Sequence, residues 1–180
     1  MLYLPFEQLL SEPIRNGLTK PKAIRGHGVK MIAMGEIFAH SRIGNIEMDR
    51  VPVNDKEFAN CSICEGDLLF ARQSLTLEGA GKCSIVSKVD ESTVFESHLI
   101  RARVDNQKAN PYFIFYYFNS HVGRENCQTK LLTVEKQPFY SCLLVVANLL
   151  SMVMIDFFCC SAISANCAAP PQEWVMYVTT

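Results

Sequence analysis

Residues 100–119, IRARVDNQKANPYFIFYYFN, decide the fold. In the first five, Ile100, Ala102 and Val104 alternate with Arg101 and Arg103. That is the period of two expected of a β-strand with one face buried and the other meeting solvent or phosphate. Asn110 then precedes Pro111. The amide can cap free backbone N–H groups and the proline ring fixes a helical φ, so a helix starts here and is expected to run to about Asn119. Its body, YFIFYYF, is so aromatic that it is expected to pack into the core as the layer covering the sheet. These signals predict the α/β class in its α+β-like form: a small, mostly antiparallel twisted sheet packed with short helices.

Working outward, residues 29–34 form a mostly apolar run short enough for a buried strand, although periodicity alone leaves a helical turn open. Gly66 and Asp67 mark a turn, residues 67–72 read as a second buried strand, and residues 83–86 read as a third. A brief helical pattern over residues 6–10 stops before Pro13, because proline disfavours helix in the residue ahead of it.

With 180 residues, 49% of them hydrophobic and 10% aromatic, the chain can bury one sizeable core, which excludes a disordered chain. The net charge of -1 argues against a partner as acidic as DNA until its distribution is considered. Arg15, Lys20, Lys22, Arg25, Lys30 and Arg42 face only Glu36 over residues 15–42, a local charge of +5. Such a patch is either a solvated face or a phosphate-facing surface. Met1 is followed by no secretory pattern, so the 8 cysteines are read in a reducing cytoplasm.

No catalytic constellation emerges. His27, His40, His98 and His121 lie in unrelated settings, and Ser97 beside His98 is no dyad, because neighbours on a strand point to opposite faces. His98 is read as a structural or DNA-contacting side chain. Cys61 and Cys64 have zinc-ligand spacing but lack a second pair, so no metal and no cofactor are expected. Gly79-Ala80-Gly81-Lys82 resembles a phosphate loop only in part: that motif needs Gly where Thr76 stands and Ser or Thr where Cys83 stands.

Two loops suit DNA better. The first, NGLTKPK over residues 16–22, offers Asn16 and Thr19 for base edges and Lys20 and Lys22 for phosphates, with Arg25 following. An ordinary surface turn has the same composition. The second, ARQSLTLEGAGK over residues 71–82, leaves a strand with Arg72, Gln73 and Ser74 and returns through glycines to Lys82. Glycines permit close backbone approach, so this loop is read as DNA-facing or as a structural hairpin-like loop.

The strings GDLLFARQSLTLEGAGKCSIV, VFESHLIRARV and NPYFIFYYFNS, preceded by NGLTKPK, VKMIAMGEIF, VPVNDKEF and CSICEGDLL, resemble in order and spacing the target recognition domain of type I restriction-modification specificity subunits. The resemblance covers residues 9–124. It implies a domain that reads double-stranded DNA, docks on methyltransferase (modification) subunits and, within the full complex, directs the restriction subunit. Chemistry would sit in those partners, so the chain is expected to be no enzyme. The alternative is a degenerate protein-interaction fragment without productive DNA recognition.

After Gly123 the family pattern stops. Residues 128–180 hold only 2 of the 17 Lys+Arg and 3 of the 18 Asp+Glu, together with Cys142, Cys159, Cys160 and Cys167. The expected division is therefore a DNA target recognition domain over residues 1–127 and an atypical, hydrophobic, Cys-rich tail over residues 128–180, ascribed to a reading-frame change or gene truncation. Residues 142–163 have the length and apolar character of a membrane span. Asp156, at a cost of about 3 kcal/mol, with Asn148, Ser151 and the lack of a basic flank, argues against insertion.

Overall fold

The computed structural model describes residues 5–125, except 75, 77, 78 and 80, together with the backbone of residues 140 and 141. Three layers build the described part. The central one is a five-stranded sheet of β1 (Arg15–Asn16), β3 (Arg42–Ile43), β5 (Leu68–Ala71), β7 (Cys83–Val86) and β9 (Leu99–Ala102), in the order β1-β9-β5-β7-β3. The second is a three-stranded sheet of β2 (Val29–Ile32), β4 (Asp49–Val51) and β8 (Thr93–Phe95), with β2 in the middle. The third is helix α3 (Pro111–Asn119). Two short helices, α1 (Met34–Ala39) and α2 (Asp55–Cys61), complete an α+β fold.

Most pairings are antiparallel, as expected; β2 with β8 and β3 with β7 run parallel. Instead of one sheet there are two, with a short further pairing between β6 (Gln73–Ser74) and β10 (Tyr140–Ser141). That pairing is all that is described of residues 128–180, so the expectations for a tail and for a 142–163 span lie outside the described residues. Among the described residues no helix is long and apolar enough to cross a membrane.

Burial of the central sheet on both faces explains the continuous apolar run of β5. Leu68, Phe70, Cys83, Ile85, Ile100 and Ala102 join Phe6, Ile114, Phe115 and Phe118 in one core. Leu69, Ala71, Val86 and Leu99 join Met31, Ile37, Val94 and Phe95 in the other. In the first core the Phe118 ring meets Phe70 and Phe6 edge-on, with centroids 5.0 and 5.2 Å apart. Such pairs add about 0.5–1.5 kcal/mol each beyond area burial.

Several sequence expectations need correction. The brief helical pattern over residues 6–10 is a 3-10 helix, Phe6–Leu9. The 29–34 run stops as a strand at Ile32, and Met34 opens α1. The turn before β5 is at Glu65-Gly66, where Gly66 takes φ +88, and Asp67 is already buried behind it. Helix α3 begins at the expected cap, the Tyr112 N–H donating to Asn110 Oδ1 at 2.8 Å. Only one of its faces is buried, however: Phe113 and Tyr116 remain more than half exposed.

The largest correction concerns β9. Its alternation is real, but Arg101 is only 2% exposed and meets neither solvent nor phosphate. Ile100 and Ala102 face α3, whereas Arg101 lies against the second layer, its guanidinium 5.9 Å from the Phe95 ring centroid. Glu12 pairs with Arg101 Nη2 at 3.0 Å and also with Arg103. The Asp67 carboxylate accepts from Arg103 Nε at 2.7 Å and Nη2 at 2.8 Å. Burial, assisted by the neighbouring Arg103 charge, pushes the Arg101 pKa down, while the hydrogen bond that Arg103 donates to Asp67 pushes that of Arg103 up. Alternation reports two faces; it does not report that a second layer covers the polar one.

Candidate nucleic-acid interface

The strand order brings the two candidate loops to one end of the central sheet. β1 and β5 both run antiparallel to the β9 that lies between them, with Asn16 opposite Ile100 and Ala71 opposite Leu99. The chain leaving β1 at Asn16, the chain leaving β5 at Ala71 and the chain entering β9 at Leu99 therefore share a rim. β7 begins at the same rim, where the Ala71 N–H donates to the Lys82 carbonyl at 2.9 Å. Asn16, Arg72, Gln73, Ser74 and Lys82 are thus gathered along one edge.

Between the loops lies the turn Glu96-Ser97-His98, of which the sequence singled out only His98, as a structural or DNA-contacting side chain. The Leu18 N–H donates to the Phe95 carbonyl and the Ser97 N–H to the Leu18 carbonyl, both at 2.8 Å. On the other flank the Arg72 N–H donates to the His98 carbonyl at 2.8 Å. Gly17 permits the first contact: a Cβ there would lie 2.3 Å from the carbonyl oxygens of Phe95 and Glu96. Gly79 lies close to the second loop's stem, where a Cβ would fall 2.2 Å from Ser74 Oγ.

The cations differ in what holds them. Arg72 Nη1 donates to the Ser97 carbonyl at 3.2 Å. Lys82 Nζ donates to the Phe38 carbonyl at 2.7 Å and sits 5.3 Å from the Phe38 ring centroid. Both are oriented by neutral groups, and neither makes an ion pair among the described residues. Lys20 instead binds Glu57 at 2.8 Å, and Arg25 binds Asp49 at 3.0 Å and the Lys20 carbonyl at 3.1 Å. Lys30 is likewise tied to Glu91. Much of the +5 patch is therefore matched by acids distant in sequence. Lys22 is exposed on the 3-10 turn Lys22–Ile24 and makes no ion pair among the described residues.

Thr19 and Gln73 are exposed, as is Asn16. Ser74 Oγ accepts from the Thr76 N–H at 3.2 Å, and the Ser74 backbone lies opposite Tyr140 in the β6–β10 pair. Glu96, the residue that starts the central turn, also caps α1. Ala33 at that helix start has no side-chain oxygen, and the Met34 N–H donates to Glu96 Oε1 at 2.6 Å. The signal that could have found the turn is the parallel approach of residue 18 to residue 96, which no local pattern records.

Elsewhere the side chains make structural arrangements. Cys61 is buried, its Sγ 3.7 Å from the Asn16 carbonyl, while Cys64 is exposed. Burial raises the Cys61 pKa. Among the described residues no three His, Cys, Asp or Glu side chains gather as a metal site.

Over 136 residues, 69% of its length, the chain is 32% identical to the type I restriction enzyme EcoKI specificity subunit of Escherichia coli (strain K12). The chain carries a domain of the type I restriction specificity-subunit family. It spans about a quarter, 27%, of that relative's length. No family profile matches it. Two solved structures are similar over part of the chain. One, from a study of complex assembly and conformational transition of the type I R-M system, is 12% identical with a TM-score of 0.49, covering 66% of this chain and 27% of that one. The other, the HsdS subunit from Thermoanaerobacter tengcongensis, is 10% identical with a TM-score of 0.46, covering 83% and 42%.

Proposed function

We propose that this type I specificity-subunit domain binds DNA sequence-specifically and directs methyltransferase and restriction subunits to a target, itself catalysing nothing. The observation that carries the reading is the meeting of two polar, cation-bearing loops on one sheet rim. Arg72 and Lys82 are held there by carbonyls, and their charge is available to phosphates. Asn16, Thr19 and Gln73 are the exposed groups for base edges, since amides and hydroxyls form hydrogen-bond pairs with specific bases. Lys22 supplies further charge, whereas Lys20, Arg25 and Ser74 contribute mainly to loop shape.

The DNA-binding unit is taken to be residues 1–127, working in the cytoplasm. The composition change after it supports a frame-shifted or truncated origin for residues 128–180. Translating the encoding DNA in its other forward frames should then yield a proline-rich segment and a long amphipathic helix; neither frame doing so ends that idea.

The test of function is selection. The full chain is mixed with a methyltransferase subunit and a pool of random duplexes, and the retained DNA is sequenced. One enriched half-site of a few base pairs is expected. Retention of the methyltransferase with no enriched sequence would favour the degenerate interaction fragment instead.

A further inference from the structure

The turn at residues 96–98 occupies the centre of the rim, between two loops chosen for their chemistry, and the sequence left open whether its His98 is structural or DNA-contacting. Its backbone is clamped on both sides, by Leu18 on one and Arg72 on the other. The Leu99 N–H closes it onto the Glu96 carbonyl at 3.0 Å. His98 is half exposed, with Nδ1 3.7 Å from Glu96 Oε1. That carboxylate is itself fixed by the Met34 N–H and lies 4.0 Å from Arg25 Nη2. The ring thus has one nitrogen beside a held acid, and Nε2, across the ring, makes no hydrogen bond or ion pair among the described residues.

We propose that this turn is the central DNA-contacting element of the domain and that His98, through Nε2, meets the duplex directly. The inference rests on the DNA-binding reading and deepens it. A half-exposed imidazole on a rigid backbone loses little conformational entropy on binding, unlike a lysine on a flexible stem. An imidazole can accept a hydrogen bond from a base edge or, when protonated, donate to a phosphate oxygen. Its neighbours suit both, with Arg72 beside it for phosphate and Asn16 on the adjacent strand for bases.

The experiment is chemical footprinting of the full chain with diethyl pyrocarbonate, which modifies accessible imidazole nitrogens. Modification is read residue by residue by peptide mass spectrometry, with and without a saturating pool of random-sequence duplex. Binding is established beforehand by fluorescence anisotropy. Modification of His98 should slow several-fold with DNA, while His121, 84% exposed, should react equally in both. The variant His98→Ala should bind the pool several-fold more weakly with an unchanged melting temperature. If duplex binds but His98 reacts as fast as before, or His98→Ala keeps full affinity, this inference fails and the DNA-binding reading stands. If no duplex binds at all, both fail together.

Discussion

Arg103 and Arg72 belong to the same sheet and differ in what surrounds them. Arg103 emerges from one end of β9, where Asp67 and Glu12 neutralise it. Arg72 emerges from β5 at the opposite end, where a peptide carbonyl orients it and where it makes no ion pair among the described residues. Carboxylates both position and neutralise a guanidinium; carbonyls only position it. One end of the sheet is therefore a structural ion network and the other a surface with charge to spare.

The difference makes its largest prediction for stability. Asp67, 1% exposed, accepts from Arg103 and from the Cys64 N–H at 2.7 Å. Asp67→Ala should cost about 3 kcal/mol, because Arg103 would stay partly buried with only Glu12 as counterion and the Cys64 N–H would lose its acceptor. Arg72→Ala should leave denaturant unfolding nearly unchanged. Equal losses from the two variants would erase the distinction between the ends.

A smaller loss is expected at the rim itself. Gly17→Ala puts a methyl group against two backbone carbonyls that cannot retreat without breaking the 96–98 turn. Overpacking of this kind costs about 1–3 kcal/mol. Affinity for duplex should fall more than stability does, since both the loop and the turn shift. An unaffected affinity would show that their close approach has no part in binding.

Next come the rim cations. Arg72→Ala and Lys82→Ala should each weaken binding to all sequences alike and flatten the dependence of log affinity on log salt by about 1 unit. Titration of the wild type and variants across a salt series measures this directly. A change confined to one target sequence would instead make these side chains base readers.

How much of this was legible in the sequence depends on the range of the interaction. β7 and α3 were readable, since a short, mostly apolar run and an Asn-Pro cap are local signals. The box formed by Asn54 and Glu57 at the start of α2 was equally local and went unread. The covered face of β9 was beyond reach, because it depends on Glu12 and Phe95 arriving from other parts of the chain. For the site, composition selected loops that do converge. It could not reveal which lysines keep their charge, since Glu57 lies 37 positions from Lys20.

Lys20 provides the smallest effect and the finest test. Its bond to Glu57 holds that carboxyl below the usual value of 4.5, helped by the Asn54 backbone N–H. A lowered folded-state pKa means stabilisation present above 4.5 and lost as pH falls through the folded value. The stability difference between wild type and Lys20→Ala should therefore exist at neutral pH and vanish in acid, and urea titrations at a series of pH values would follow it. In DNA binding, Lys20→Ala should change the salt slope less than Lys22→Ala or Arg72→Ala, because its charge is already matched. An equal change would mean that the duplex draws Lys20 away from Glu57. The free and bound rims would then hold different ion pairs, and the division between neutralised and available cations would belong to the free protein alone.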